Sequence, residues 1–188
     1  MPVLDPGALW GCSKFGSIRN PWTKYLKGKR VLCVSTHINS ILDQVDHLKN
    51  IWGDRYDDMA AFELVDCLRT PYHPLIDSRQ FPGCNNFMDN VDYLKCRMDE
   101  YNYDVLLTSS SSISPFLAQY AKEQGKIGIQ TGGTLPLLFG LIGGRWNCDN
   151  CYSEWKRMYN EYWKRPLDID KAQYFSRVGS LETSWCYW

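Results

Sequence analysis

Two short clusters of serine, threonine and glycine have the residue types and spacing of an anion-binding site. One follows the apolar run at residues 105–107 and contains Ser109, Ser110, Ser111 and Ser112. The other follows residues 127–129 and contains Thr131, Gly132, Gly133 and Thr134. Serine hydroxyls donate hydrogen bonds to phosphate oxygens, and glycine lets a ligand approach backbone N–H groups closely. Together the clusters predict a phosphate site, although either alone is also an ordinary turn.

A third polar turn contains Ser35, Thr36 and His37 and follows an apolar run at residues 30–34. Histidine exchanges protons near neutral pH, so His37 is a candidate general base. The alternative is a turn residue whose ring is hydrogen-bonded to the backbone.

The residues around the first two clusters predict a complete βαβ unit. Residues 105–107 and 127–129 are short apolar runs without alternation, as expected for parallel strands buried on both faces. Between them, apolar residues recur at helical spacing from Ile113 to Tyr120, and Gly125 is a typical helix end. In open parallel sheets, ligands bind beyond the carboxyl ends of the strands, where all three polar turns would lie.

The same alternation of strand and helix extends toward the N-terminus. Residues 30–34 predict a strand, and the apolar positions from 41 to 48 predict a helix after it. Residues 59–65 predict another strand, with a helix as the alternative, and residues 88–100 predict a helix. We therefore expect an α/β fold: a Rossmann-like open parallel sheet of three to five strands with helices on both faces.

Other segments complete the predicted organisation. Residues 69–87 contain three prolines and a glycine and predict a long loop. Residues 152–163 predict a helix crowded with aromatic side chains, the start of a helical and aromatic C-terminal tail. We expect residues 1–27 to form an N-terminal arm and residues 28–188 to form a single domain.

Composition limits the classes of partner. The 188-residue chain has 21 basic and 21 acidic side chains, so no net charge attracts it to nucleic acid or to an anionic membrane. No run of 18 apolar residues and no signal-peptide pattern occurs, which predicts a cytoplasmic protein. The aromatic C-terminus, which ends in Trp188, could form a homo-oligomer interface.

Metal-binding patterns are sparse. The eight cysteines favour free buried thiols, including Cys33, Cys67 and Cys96, and Cys148 with Cys151 lacks the second pair that a zinc site needs. The triplet of Asp168, Ile169 and Asp170 could hold Mg²⁺ or Mn²⁺ through its carboxylates, or it could simply face solvent.

Several blocks of the sequence resemble a known family. They include PWTKYLKGKRVLCV, YDVLLTSSSSISPFLAQYAKEQGKIGIQTGG, LPLLFGLIGGRW, YNEYW with RP, and the terminal CYW. From about residue 21 to the end, the chain resembles a family of mostly uncharacterised proteins encoded among surface-polysaccharide genes. The central βαβ part of that family is similar to GT-D-type glycosyltransferases.

The resemblance implies a Rossmann-like transferase that takes a nucleotide sugar as donor and a glycan as acceptor. The polar turns would bind the diphosphate, Arg145 would supply fixed positive charge, and Trp146 and Asn160 would contact substrate. For the general base we favour Glu161 over Asp66 and His37. A transferase without a metal ion fits best, with Arg145 and helix N-termini in place of the ion.

A non-catalytic role is the alternative. GT-D enzymes carry an Asp-x-Glu metal motif before the first strand, and residues 1–30 contain only Asp5 as an acidic residue. A chain without that motif could serve as a nucleotide-sugar-binding or scaffold subunit of a glycan-assembly complex.

Overall fold

The core of the protein is an open sheet of four parallel strands, seen in a computed structural model that describes residues 21–70, 81–143 and 156–170. In chain order the strands are β1 (Arg30–Ser35), β2 (Glu63–Arg69), β3 (Val105–Ser109) and β4 (Ile127–Gln130). Their order across the sheet is β2-β1-β3-β4. This arrangement confirms the predicted Rossmann-like α/β fold.

Helices connect the strands. Between β1 and β2 lie α1 (Ile38–Gln44), α2 (Leu48–Trp52) and α3 (Tyr56–Met59). The helix before β3 is α4 (Phe87–Asp99), α5 (Ser114–Glu123) joins β3 to β4, and α6 (Leu135–Leu138) follows β4. Short 3₁₀ helices occur at Trp22–Leu26, Val45–His47, Gly53–Arg55, Ser111–Ile113 and Gly132–Thr134. None of the described helices has both the length and the apolar character that crossing a membrane requires.

Both faces of the sheet are covered by helices. Val31 and Cys33 of β1 join a hydrophobic cluster with side chains of α1 and α2, whereas Leu32 and Val34 join a second cluster with α4 and α5. All four side chains are fully buried. Successive residues of a strand point to opposite faces, so an unbroken apolar run is what a strand covered on both sides requires.

β4 contacts α5 at a position where only glycine fits. A Cβ atom on Gly128 would lie 2.3 Å from the carbonyl oxygen of Ala118 in α5. At the end of this helix, Gly125 has a φ of +72° and donates its N–H to the carbonyl of Lys122, as its predicted helix-ending role requires. The two glycines thus fix where α5 packs and where it stops.

Asp104 joins β1 to the start of β3 at the amino end of the sheet. Its carboxylate accepts hydrogen bonds from the Arg30 backbone N (2.9 Å), Nε (3.2 Å) and Nη2 (2.7 Å). These bonds hold the pKa of the Asp104 carboxyl well below its usual range. The 3₁₀ helix Trp22–Leu26, which precedes Arg30 and belongs to the predicted arm, packs on α3. Here Thr23 Oγ1 donates a hydrogen bond to the carbonyl of Asp58 (2.8 Å).

The structure corrects three sequence predictions. The second strand is Glu63–Arg69 and not residues 59–65, because Met59 still belongs to α3. The helix predicted over residues 152–163 does not reach its predicted end: within the described part, the chain leaves helical geometry after Lys156 and forms turns. Here the Asn160 side chain accepts the N–H of Tyr162, a typical local turn. Cys96 is exposed, unlike the buried thiols of Cys33 and Cys67.

Candidate functional site

The three polar turns lie side by side at the carboxyl edge of the sheet. β3 is the central strand of this group, with β1 on one side and β4 on the other. Ser35 of β1 is paired with Ser109, and Thr108 of β3 is paired with Gln130 of β4. Because neighbouring strands are about 4.8 Å apart, the three turns form one continuous rim.

Inward-facing hydroxyls set the shape of the serine turn after β3. Thr108 Oγ1 lies 3.1 Å from Ser110 Oγ and 3.2 Å from Ser114 Oγ, and Ser110 N donates to Ser114 Oγ (2.8 Å). Ser110 Oγ also donates to the carbonyl of Val34 in β1 (3.4 Å). Since Ser110 is buried, its hydroxyl holds the turn together and does not face the rim.

The outer part of the serine turn is open. Ser111 and Ser112 are exposed, and Ser109 is half-buried. Ser111 has a φ of +48°, a conformation that residues other than glycine rarely adopt. The backbone N–H groups of Ser111 and Ser112 make no hydrogen bond to any of the described residues. Two backbone N–H donors of this turn are therefore without an acceptor among the described residues.

The glycine turn after β4 is similarly built. Thr131 donates both its N–H (2.9 Å) and its Oγ1 (3.0 Å) to the carbonyl of Thr108, which ties this turn to β3. Thr134 Oγ1 donates back to the carbonyl of Thr131 (2.6 Å). Gly132 has a φ of +55°, and a Cβ there would meet no atom within 4 Å. Within the part of the chain that the structure describes, the N–H groups of Gly132 and Gly133 have no acceptor.

Four backbone donors therefore line two adjacent turns, and we call this group the two-turn seat: Ser111, Ser112, Gly132 and Gly133. Backbone N–H groups clustered on open turns form a concave site that suits phosphate oxygens. The Ser109 and Ser112 hydroxyls lie beside these donors in sequence and can add further hydrogen bonds.

Unlike the two turns of the seat, the turn after β1 is buried, and its polar groups bond to each other. Ser35 is fully buried, and its Oγ accepts the N–H of His37 (3.1 Å). Thr36 Oγ1 lies 3.1 Å from His37 Nδ1, and His37 itself is only 3% exposed. This turn thus holds His37 in a buried position at the end of β1, the strand next to β3.

The Asp170 carboxylate lies at the N-terminus of α1 and takes the N–H groups that a phosphate could otherwise bind. One carboxylate oxygen accepts Asn39 N (3.3 Å) and Asn39 Nδ2 (2.7 Å), and the other accepts Ser40 N (2.8 Å) and Ser40 Oγ (2.6 Å). With Asp170 only 2% exposed and Asp168 exposed, the two carboxylates of the predicted metal triplet face different surroundings. The chain thus fills the first anion position itself.

Two of the predicted bases lie away from the two-turn seat. Asn160 Nδ2 donates to the carbonyls of Asn50 (3.1 Å) and Ile51 (3.3 Å), so the exposed Glu161 beside it lies near α2. Asp66 lies within β2, where its Oδ2 accepts the hydroxyl of Tyr101 (2.6 Å). This hydrogen bond, with burial, raises the pKa of the Tyr101 hydroxyl.

Two of the predicted site residues, Arg145 and Trp146, lie outside the described residues. Two other residues that shape the rim were not predicted to do so. Ser114 and Asp170 were missed as structural partners of the rim. Ser114 is the first residue of α5 and precedes Pro115, a position where the sequence offers no sign that its hydroxyl accepts the N–H of Ser110. The acidic triplet marked Asp170 as a possible metal ligand, but no local pattern indicates its contact with α1, because its partners are about 130 residues away.

A metal ion has no evident cluster of ligands in the described part of the chain. Among residues 21–70, 81–143 and 156–170, no group of three histidine, cysteine or acidic side chains comes together.

Comparison of the chain with family models, curated proteins and solved structures finds no match in any of the three.

Proposed function

We propose that the protein is a glycosyltransferase that moves a sugar from a nucleoside diphosphate sugar to a hydroxyl of a glycan. The observation that carries this proposal is the two-turn seat, whose four backbone donors lie on the turns that follow two neighbouring parallel strands. An open α/β sheet binds its ligands at this edge, near the point where the strand order reverses. Here the reversal falls between β1 and β3, next to the seat.

In this proposal the seat binds the diphosphate of the donor. During transfer, the bond between the anomeric carbon and the phosphate oxygen breaks, and the nucleoside diphosphate leaves with the electron pair. Negative charge then grows on the phosphate oxygen, and N–H groups already aimed at it stabilise that charge. Ser111, Ser112, Gly132 and Gly133 would supply those groups without a metal ion.

The acceptor hydroxyl needs a base as its oxygen attacks the anomeric carbon. Of the three residues predicted for this role, His37 alone lies on the rim, because Glu161 is beside α2 and Asp66 is within β2. We assign the base to His37, which would take the acceptor proton on its imidazole. Thr36, 3.1 Å from Nδ1, would orient the ring.

A non-catalytic nucleotide-sugar-binding subunit is the second candidate. One observation favours it: His37 is nearly inaccessible in this conformation. Such a protein would bind the nucleotide sugar and transfer nothing. Ligand binding alone therefore does not separate the two candidates, and turnover must be measured.

The first experiment measures binding. Thermal unfolding is followed with UDP, GDP, CDP, dTDP and their glucose conjugates, with and without Mn²⁺. A ligand at 100 times its Kd adds about 2.7 kcal/mol of stability. Ser112→Glu should abolish that shift, because it places a carboxylate against the phosphates. Gln119→Glu adds the same charge at an exposed position two turns along α5 and should leave the shift intact.

The second experiment measures transfer. His37→Gln should keep the nucleotide shift and lose turnover, whereas Glu161→Gln should keep both. If no nucleotide shifts the unfolding temperature, the transferase and the binding subunit are both rejected. If a nucleotide binds but no sugar is transferred or hydrolysed by the wild type, the binding subunit stands and the transferase is rejected.

A further inference from the structure

We propose that a cleft beside β2 binds a sugar ring of the acceptor glycan. This inference rests on the proposed function, since it gives a place to the second substrate. The cleft has a volume of about 390 Å³, within the range of roughly 300–1,000 Å³ that small-molecule sites occupy. The polar and aromatic residues in its lining are Asp66, Arg69, Phe81, Tyr93, Arg97 and Tyr101.

The lining combines the two surfaces that a sugar ring needs. A pyranose has a C–H face that packs on aromatic rings and a rim of hydroxyls that both donate and accept hydrogen bonds. Phe81 and Tyr93 supply the first surface, because both line the cleft, where their rings stack on each other with centroids 4.3 Å apart and planes inclined by 23°. Asp66 accepts hydrogen bonds, and the guanidinium groups of Arg69 and Arg97 donate them.

Hydrogen bonds already hold these polar groups in place. Tyr101 OH donates to Asp66 Oδ2 (2.6 Å), and the N–H of Cys67 donates to Asp66 Oδ1 (2.7 Å). Arg97 Nη1 pairs with Glu100 (2.8 Å), and Nη2 lies 3.5 Å from the Tyr101 hydroxyl. Each carboxylate oxygen keeps lone-pair capacity, and the five guanidinium N–H groups exceed these contacts. A ligand would meet side chains that need little reorganisation.

The cleft opens beside the rim. Arg69 is paired with Ser35 of β1, and Ser35 is paired with Ser109 of β3. Two strand spacings separate Arg69 from Ser109, which is about 10 Å. Ile38 also lines the cleft, and it directly follows His37 in the chain. The turn that contains His37 thus follows β1, which lies between the strand of the cleft and the strands of the two-turn seat.

The test uses saturation-transfer NMR on the full chain with four probes: the methyl glycosides of glucose, galactose, N-acetylglucosamine and glucuronic acid. At least one should bind to the wild type. Arg97→Gln and Tyr93→Ala should each weaken its binding tenfold or more, the loss expected when a charged hydrogen bond or an aromatic contact is removed. Binding of UDP at the rim should be unchanged in both variants.

Lys95→Gln is the matched control. Lys95 lies on the same helix and pairs with Asp92 (3.2 Å) in the same one-turn spacing as Arg97 with Glu100, but it does not line the cleft. This variant should bind the glycoside as the wild type does. If Tyr93→Ala does not fold, the comparison of Arg97→Gln with Lys95→Gln decides the result.

Two results would overturn the inference: no glycoside binds, or Arg97→Gln binds it as tightly as Lys95→Gln. If UDP binds while no glycoside does, the cleft assignment is rejected and the proposed function stands. If a glycoside binds in the predicted way while no nucleotide does, the cleft is a sugar site and the transferase proposal is rejected.

Discussion

Asp170 determines which helix start of this protein is available to an anion. The N-terminus of a helix after the first strand is a common phosphate site, because its N–H groups lack partners. Here the Asp170 carboxylate takes the N–H groups of Asn39 and Ser40, and it also accepts both of their side chains. The open donors of the rim are consequently those of the two-turn seat.

Removing this carboxylate should destabilise the fold. Asp170→Ala leaves two backbone N–H groups of α1 and the hydroxyl of Ser40 without their buried acceptor, and we expect the free energy of unfolding to fall by about 3 kcal/mol. Urea denaturation measures this loss. Asp168→Ala, two residues away and exposed, should change it by less than about 0.5 kcal/mol. Equal effects of the two variants would contradict the assigned role.

At the scale of elements, the close contact between β4 and α5 predicts that a larger residue at position 128 destabilises the fold. Gly128→Ala places a methyl group 2.3 Å from the carbonyl oxygen of Ala118, so strand and helix must move apart. We expect a loss of about 3 kcal/mol or more in unfolding free energy, at the upper end of overpacking effects. Circular dichroism during urea unfolding provides the measurement.

Gly125→Ala serves as the comparison for this prediction. Gly125 has a φ of +72°, but a Cβ there would meet no atom within 4 Å. The cost is then only that of a left-handed alanine, about 1 kcal/mol. A larger loss for Gly125→Ala than for Gly128→Ala would show that backbone strain, and not helix–strand contact, dominates this region.

Three of the four described strands could be predicted from the sequence, but the site only in part. The strands containing residues 30–34, 105–107 and 127–129 were predictable, because burial on both faces demands an unbroken apolar run. Their parallel order then brought the polar turns to one edge. Which hydroxyl points inward was not predictable: Ser110 is buried and Ser111 is exposed, although both are serines of the same run.

The positions of Asp170 and Glu161 in the fold were not predictable, for a common physical reason. Asp170 and Glu161 both lie in a segment that packs along α1 and α2, and that packing is decided by tertiary contacts far apart in the chain. The aromatic residues near Glu161 suggested a helix, but Trp163 packs against Trp52 with ring centroids 5.4 Å apart. Burial of such large side chains outweighs local helix propensity.

For the whole molecule, the pair of Arg30 and Asp104 predicts how stability depends on pH. The pKa of Asp104 is lower in the folded state than in the unfolded chain, so its stabilising effect is complete above the unfolded pKa of about 3.9. The effect is lost as the pH falls below that value. The difference in unfolding free energy between wild type and Asp104→Asn should therefore be largest near pH 7 and shrink below about pH 4.

The double variant provides the control for the pH experiment. In an Arg30→Gln background, the effect of Asp104→Asn on the unfolding free energy should vary much less with pH, because the main hydrogen-bond donor is gone. Urea midpoints at several pH values in constant ionic strength give all four curves. An unchanged pH dependence in the double variant would assign the effect to other groups.

The contact between Asp170 and α1 also has a consequence for how the protein is made. The acceptor for Ser40 N lies 130 residues further along the chain, so a ribosome must add all of them before that contact can form. At about 5–20 residues per second, this takes roughly ten seconds. Throughout that interval α1 of the nascent chain lacks its acidic cap, even after the last described strand, β4, has been synthesised.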